Sequence, residues 1–152
     1  MYLLTGEEKY RLIITDFLER FRNNRDLPNS TVEEYTLKWK SDWNNKNNNF
    51  QDVSHANAII DVMISLYENQ FGVSREEIND LIELFDKTIW KSYNSFSRYV
   101  DGSGKGTGWF TDGFIKLGRF DKSLQVRIEK HNKGRSVQYF ANGALNVKIL
   151  TH

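Results

Sequence analysis

From Tyr10 onward, apolar residues return every three or four positions: Tyr10, Ile13, Ile14, Phe17, Leu18 and Phe21. That spacing predicts an amphipathic helix with one buried face. Thr5-Gly6-Glu7-Glu8 has the T-x-x-E form of a capping box, which places the helix start near Glu7. Asp26-Leu27-Pro28-Asn29-Ser30 holds the only proline and ends the helix. Tyr35, Trp39 and Trp43 then fall four apart, the spacing of a short helix. The run from Asn44 to Asn49 predicts an exposed loop.

A second helix is expected after Ser54, a good N-cap, with Ala56, Ile59, Ile60, Met63 and Tyr67 in one stripe. Gly72 suits its left-handed C-terminal position. Ser74-Arg75-Glu76-Glu77 is a second capping box. The helix it opens carries Ile78, Leu81, Ile82, Phe85, Ile89, Tyr93 and Phe96, and is expected to run to about Tyr99. Asp101 to Gly108 contains four glycines and breaks regular structure. Phe110, Phe114, Ile115 and Leu117 predict a short helix, and Asp121 caps another over Leu124 to Ile128. After Gly134 a last helix is expected, burying Val137, Phe140, Ala141, Ala144 and Leu145, with Asn142 and Asn146 off that face in solvent. Alternating strand patterns are almost absent. The expectation is one all-α domain over residues 1–152, built of antiparallel helical hairpins.

Composition narrows the function classes. The chain has 152 residues, 39% of them hydrophobic, enough for a real core. The formal net charge is +1, and Lys and Arg are dispersed, which argues against nucleic acid as a partner. There is no cysteine, so thiolate metal sites and disulfides are excluded and the compartment stays undetermined. No apolar run reaches the length of a membrane span, and Met1 to Tyr10 lacks the pattern of a signal peptide. Ten Phe, seven Tyr and four Trp supply core filling, and also flat faces on which sugar rings stack.

Tyr2, Leu3 and Leu4 lead directly into the Thr5-Gly6 turn. They are either the tail of a preceding helix or a hydrophobic staple on the next one. The string Tyr2-Leu3-Leu4-Thr5-Gly6-Glu7-Glu8-Lys9-Tyr10 resembles a hairpin turn of (α/α) toroid proteins: six-hairpin glycosidases, toroid polysaccharide lyases and N-acylglucosamine epimerases. Two further strings carry the likeness. One is Asp52-Val53-Ser54-His55-Ala56-Asn57, followed by Phe71-Gly72-Val73-Ser74. The other is Asp101-Gly102-Ser103-Gly104, leading to Gly108-Trp109-Phe110-Thr111-Asp112-Gly113. The resemblance implies helices around a funnel with ligand contacts at their loop ends. It implies a partial toroid, the C-terminal portion of a larger one, because the chain is too short to close the ring. It does not fix an activity, since toroids host hydrolases, lyases, epimerases and terpenoid enzymes.

The first constellation with chemistry is Asp52 with His55. A spacing of three at a helix mouth places both on one side, where a carboxylate orients an imidazole for proton transfer. The plain alternative is helix capping, with His55 merely at the surface. The second is the loop from Tyr99 to Asp112, which offers Tyr99, Asp101, Lys105, Trp109 and Asp112. Hydrolysis of a glycosidic bond uses two facing carboxyl groups, and sugar binding uses an aromatic platform. The alternative is a linking loop with Trp109 in the core. Tyr35 and Trp39, with Trp43, form either a sugar-stacking wall or a core stripe. The glycines do not form a P-loop: Gly106 follows Lys105 where Ser or Thr is required. The three histidines, His55, His131 and His152, lie far apart in sequence, so no metal and no cofactor are expected.

Two functions remain open. One is a carbohydrate-active protein acting on a polysaccharide or oligosaccharide. As a hydrolase it would use Asp52 or Asp112 as acid and Asp101 as base; as a lyase or epimerase, His55 or Tyr99 would exchange a proton at a sugar carbon. The other is a non-catalytic helical module binding a glycan or a protein. Under either, an exposed apolar flank would favour self-association.

Overall fold

The computed structural model describes residues 2–26, 37–43, 49–93, 95–108, 110, 112–131 and 136–151. Tyr35 and Trp109 lie outside the described residues. The structure is mostly helical, with two small antiparallel sheets. A helical turn, α1 (Tyr2–Thr5), precedes α2 (Glu8–Asn24). Strands β1 (Arg25–Asp26) and β2 (Lys38–Trp39) pair, and α3 (Val53–Glu68) and α4 (Arg75–Glu83) follow. A π-helical turn over Leu84–Ile89 leads into the pair β3 (Trp90–Ser92) and β4 (Ser95–Phe96). The chain closes with α5 (Gly113–Lys116), a 3-10 turn at Leu117–Arg119, α6 (Lys122–Glu129) and α7 (Val137–Leu150).

The core forms around α3. Its buried Ala56, Ile60, Met63 and Ile64 follow the expected stripe, and the helix packs on α4 and α5. The approach of α5 is close because Gly113 has no side chain: a Cβ there would collide with the Asn57 carbonyl. The Ser74 capping box forms as expected. Ser74 Oγ accepts from Glu77 N at 3.2 Å, and Glu77 Oε2 accepts from Ser74 N at 3.1 Å. Asp121 caps α6, accepting from Leu124 N at 2.9 Å.

Several expectations are corrected. The Thr5 capping box does not form. Thr5 ends α1, Gly6 turns the chain at φ +66°, and Glu8 binds Arg11 instead. Only the second half of the α2 stripe is buried; Leu18 and Phe21 are inside, while Ile13 is exposed. Helix α3 starts at Val53, with Asp52 rather than Ser54 as the cap. Trp39 stands on a strand, not a helix. It is 1% exposed and packs edge-on to Phe21 at 5.4 Å, so it is core and not a ligand wall. The helix expected to reach Tyr99 ends at Ile89. Trp90 and Phe96 turn inward as β-paired residues and join a cluster with Phe85, Phe110 and His131.

The last helix is rotated from its expected face. Asn146 is fully buried: it donates to Ile115 O at 2.7 Å and Gln125 Oε1 at 2.9 Å, and accepts from Arg119. Tyr139 is also inside, donating to Ile128 O at 2.6 Å. Val137 and Phe140 are 84% and 63% exposed, and Leu145, Val147 and Ile149 are exposed as well. A satisfied polar network anchors the helix, and its apolar side is left facing out.

Candidate functional site

The mouth of α3 is built by backbone pairing that the hydrophobic pattern does not announce. The segment before α3 runs beside the segment after β4. Val53 N donates to Arg98 O at 2.9 Å, and Val100 N donates to Gln51 O at 3.0 Å. This sets Tyr99 opposite Asp52. The glycine loop then folds back, pairing Ser97 with Lys105. Gly106 N donates to Phe96 O at 2.8 Å, and a Cβ at Gly106 would strike the Ser97 carbonyl. The fold-back therefore requires glycine at that position.

The result is a cleft of about 510 Å³ lined by Asp52, His55, Arg98, Tyr99, Lys105 and Thr107, among others. Asp52 divides its oxygens between two tasks. Oδ1 accepts from His55 N at 3.1 Å and from the Ser54 hydroxyl, which caps α3. Oδ2 lies 2.7 Å from His55 Nδ1 and 3.3 Å from Gln51 Nε2. Burial opposes ionisation of this carboxyl. The bonds from Ser54 and His55 outweigh it and hold the group at about 2, so it is an anion at neutral pH. The His55 ring is 79% exposed, and with Nδ1 engaged by Asp52, Nε2 is the nitrogen left for a ligand.

Two cations flank this pair. The Arg98 guanidinium sits 5.5 Å from the centroid of the Tyr99 ring, and Lys105 stands on the paired strand segment. Among the described residues no carboxylate pairs with Arg98 or Lys105. The cleft thus combines an oriented imidazole, a phenol and two available positive charges, a set suited to an anionic ligand and to proton transfer.

The structure brings four of the candidate residues together: Asp52, His55, Tyr99 and Lys105. It does not bring Asp101 or Asp112 to the cleft lining. Asp101 Oδ1 is used by its own turn, accepting from Ser103 N at 3.1 Å and Ser103 Oγ at 2.7 Å. Asp112 stands at the start of α5. Trp39 is in the core. Arg98 and Thr107 were not singled out from sequence. Arg98 was hidden because the apolar spacing carried an expected helix through it, although its place beside Tyr99 and near Lys105 was a usable signal. Among the described residues no group of three His, Asp or Glu side chains is gathered as a metal site, and no helix is long and apolar enough to cross a membrane. No protein-family model, no curated protein and no solved structure matches this chain.

Proposed function

We propose that the cleft at the mouth of α3 binds an acidic sugar unit of a polysaccharide or oligosaccharide and exchanges a proton at one of its carbons, as in a lyase or an epimerase. The observation that carries this reading is the placement of His55, oriented by Asp52, with Tyr99, Arg98 and Lys105 in one cleft. In the lyase form, His55 Nε2 removes the proton on the carbon next to the sugar carboxylate. The electron pair forms a carbon–carbon double bond as the bond to the glycosidic oxygen breaks. Tyr99 gives its proton to that oxygen. Arg98 and Lys105 hold the carboxylate, on which charge builds in the transition state. In the epimerase form, a proton returns to the opposite face of the same carbon and no bond to oxygen breaks.

Inverting or retaining hydrolysis has less support, because it asks for two carboxyl groups across the scissile bond. Of the carboxylates proposed for it, Asp52 alone lines the cleft, and it is committed to α3 and His55. The likeness of the Tyr2–Tyr10 and Asp52–Asn57 strings to (α/α) toroid proteins supports the carbohydrate class and an arrangement of the helix pairs as part of a toroid. A second reading, a glycan-binding module without turnover, is favoured by one observation: the bonds to Asp52 from Ser54 and His55 N are those of an ordinary helix cap.

The deciding experiment mixes the protein with neutral polysaccharides and with polyuronates. Growth of ultraviolet absorbance from an unsaturated sugar end establishes the lyase form. Deuterium uptake from solvent into the sugar, without cleavage, establishes the epimerase form. Binding to polyuronate without either change establishes the module. Equal indifference to every glycan removes the proposal.

A further inference from the structure

The strand pairing that sets Tyr99 opposite Asp52 continues on the other side of Asp52. Before α3 the chain also pairs with β2: Gln51 N donates to Trp39 O at 3.0 Å, Ser41 N donates to Asn49 O at 2.9 Å, and Lys40 stands opposite Phe50. One ribbon thus runs from β2 through residues 49–53 to residues 97–100. Side chains alternate between its faces. Leu37, Trp39, Gln51 and Val53 are buried on one side. Lys38, Lys40, Phe50 and Asp52 fall on the other and are half-buried. The register carries Lys38 alongside Asp52, two strands from Tyr99, or about 10 Å at the usual strand spacing.

Phe50 gathers two positive charges on this face. Lys40 Nζ lies 3.9 Å from the centroid of its ring, and Lys38 Nζ lies 5.4 Å from it. The negative face of the ring attracts both ammonium groups, which by themselves repel each other. Asp26 stands opposite Lys38 on β1, yet the two form no ion pair, and among the described residues no carboxylate pairs with Lys38. Lys38 thus keeps its charge available to an anion from outside, with the Lys40 ammonium on the same ring.

We propose that Lys38 and Lys40 form a second subsite, which holds the carboxylate of a further acidic unit of the same oligosaccharide that places its reacting unit at His55 and Tyr99. This rests on the function proposed for the cleft, and it adds that the ligand is a chain. Charge complementarity argues for that occupant. Arg98 and Lys105 line the cleft, Lys38 and Lys40 continue the positive tract along the same ribbon, and a polyuronate repeats its carboxylate on every unit. Length agrees. The gap from Tyr99 to Lys38 is wider than one sugar ring, so a single acidic sugar reaches one site and a short chain reaches both. Two weak contacts on one chain then combine as avidity. A neutral glycan gains nothing from the ammonium groups.

Calorimetric titration with oligouronates of increasing length, from the single acidic sugar upward, tests the proposal. In the parent protein, affinity should rise about tenfold or more once the chain spans both sites. Lys38→Met combined with Lys40→Met, which keeps the stems and removes the charges, should abolish that rise and leave affinity for the single sugar unchanged. Lys38→Arg combined with Lys40→Arg should retain it. Melting curves check that both variants are folded. Binding of the single sugar with no gain from length overturns the second subsite and leaves the reading of the cleft standing. A gain from length that survives in the methionine variant also overturns it, because the chain is then held elsewhere. So does an equal gain with neutral oligosaccharides. Binding of no uronate at any length overturns the reading of the cleft and the subsite with it.

Discussion

Asp52 grips His55 twice: one carboxylate oxygen accepts from the His55 backbone N–H at 3.1 Å, and the other lies 2.7 Å from its ring Nδ1. The residue that starts helix α3 is thus the residue that aims the imidazole into the cleft. The structural role and the proposed chemical role are joined in one side chain, and they can be separated by substitution.

Asp52→Asn keeps an oxygen for the cap but removes the anion beside Nδ1. Its stability loss should stay within about 1 kcal/mol, whereas Asp52→Ala should lose about 1–2 kcal/mol. The pH dependence distinguishes them further. The folded carboxyl titrates at about 2, below the ordinary 3.8, so its stabilisation is complete above the ordinary value and disappears as pH falls toward 2. Urea unfolding at acid pH should show a slope in the parent protein that is reduced in Asp52→Asn.

Under the proposed lyase or epimerase function, His55→Gln and Tyr99→Phe should each lower turnover of a polyuronate by about a hundredfold or more, the usual worth of a positioned acid or base. The His55 ring is largely solvent-exposed, so the melting temperature of His55→Gln should barely move. A His55→Gln protein with undiminished turnover would sink the assignment of the base.

Glu77 joins two helices. Its carboxylate completes the Ser74 capping box, binds Arg22 at 2.8 Å and binds Arg25 at 2.9 Å. Burial raises its proton affinity, but these partners reverse the effect and hold it below the ordinary carboxylate value. Glu77→Ala should cost about 3 kcal/mol, since it strands Arg25 and opens a helix end. Chemical denaturation of the variant measures this. The stabilisation from Glu77 is present above the ordinary carboxylate range and is lost as pH drops through the lowered folded value.

Helix α7 gives a paired test of which face is inside. Asn146→Ala should destabilise by about 2–3 kcal/mol, because the Ile115 carbonyl and Gln125 lose their donor in a buried site. Val137→Ala, an apolar change at an 84% exposed position, should be within about 0.5 kcal/mol of the parent. Thermal or urea unfolding of the two variants reads the difference.

Two glycines give opposite outcomes. Gly106→Ala drives a Cβ into the Ser97 carbonyl, so it should open the loop, cost about 2 kcal/mol and abolish ligand binding in the cleft. Gly143→Ala sits mid-helix with open space around it and should stabilise by about 1 kcal/mol. Melting curves together with a binding isotherm for polyuronate separate the cases.

The sequence alone determined those features that a few neighbouring residues decide. The Ser74–Glu77 box, the Asp121 cap and the Ala56, Ile60, Met63 stripe all formed as their spacing predicts, because each rests on bonds or periodicity within one helix. Asp52 with His55 was legible for the same reason, as a pair within one helical turn. The tertiary structure decided the rest. Phe96 continues the helical spacing of Ile89 and Tyr93, yet its β pairing with Trp90, in one aromatic cluster, follows a helix that ends at Ile89. Trp39 is fixed in a strand by its partner Arg25, far back in the chain. Asn146 is drawn inside by Ile115, Gln125 and Arg119, and that turns the apolar side of α7 outward. The cleft itself exists because Gln51 and Val53 bond to Val100 and Arg98 across the fold. Long-range backbone pairing leaves no local pattern, so the partners of Asp52 and His55 became visible only once the chain had folded.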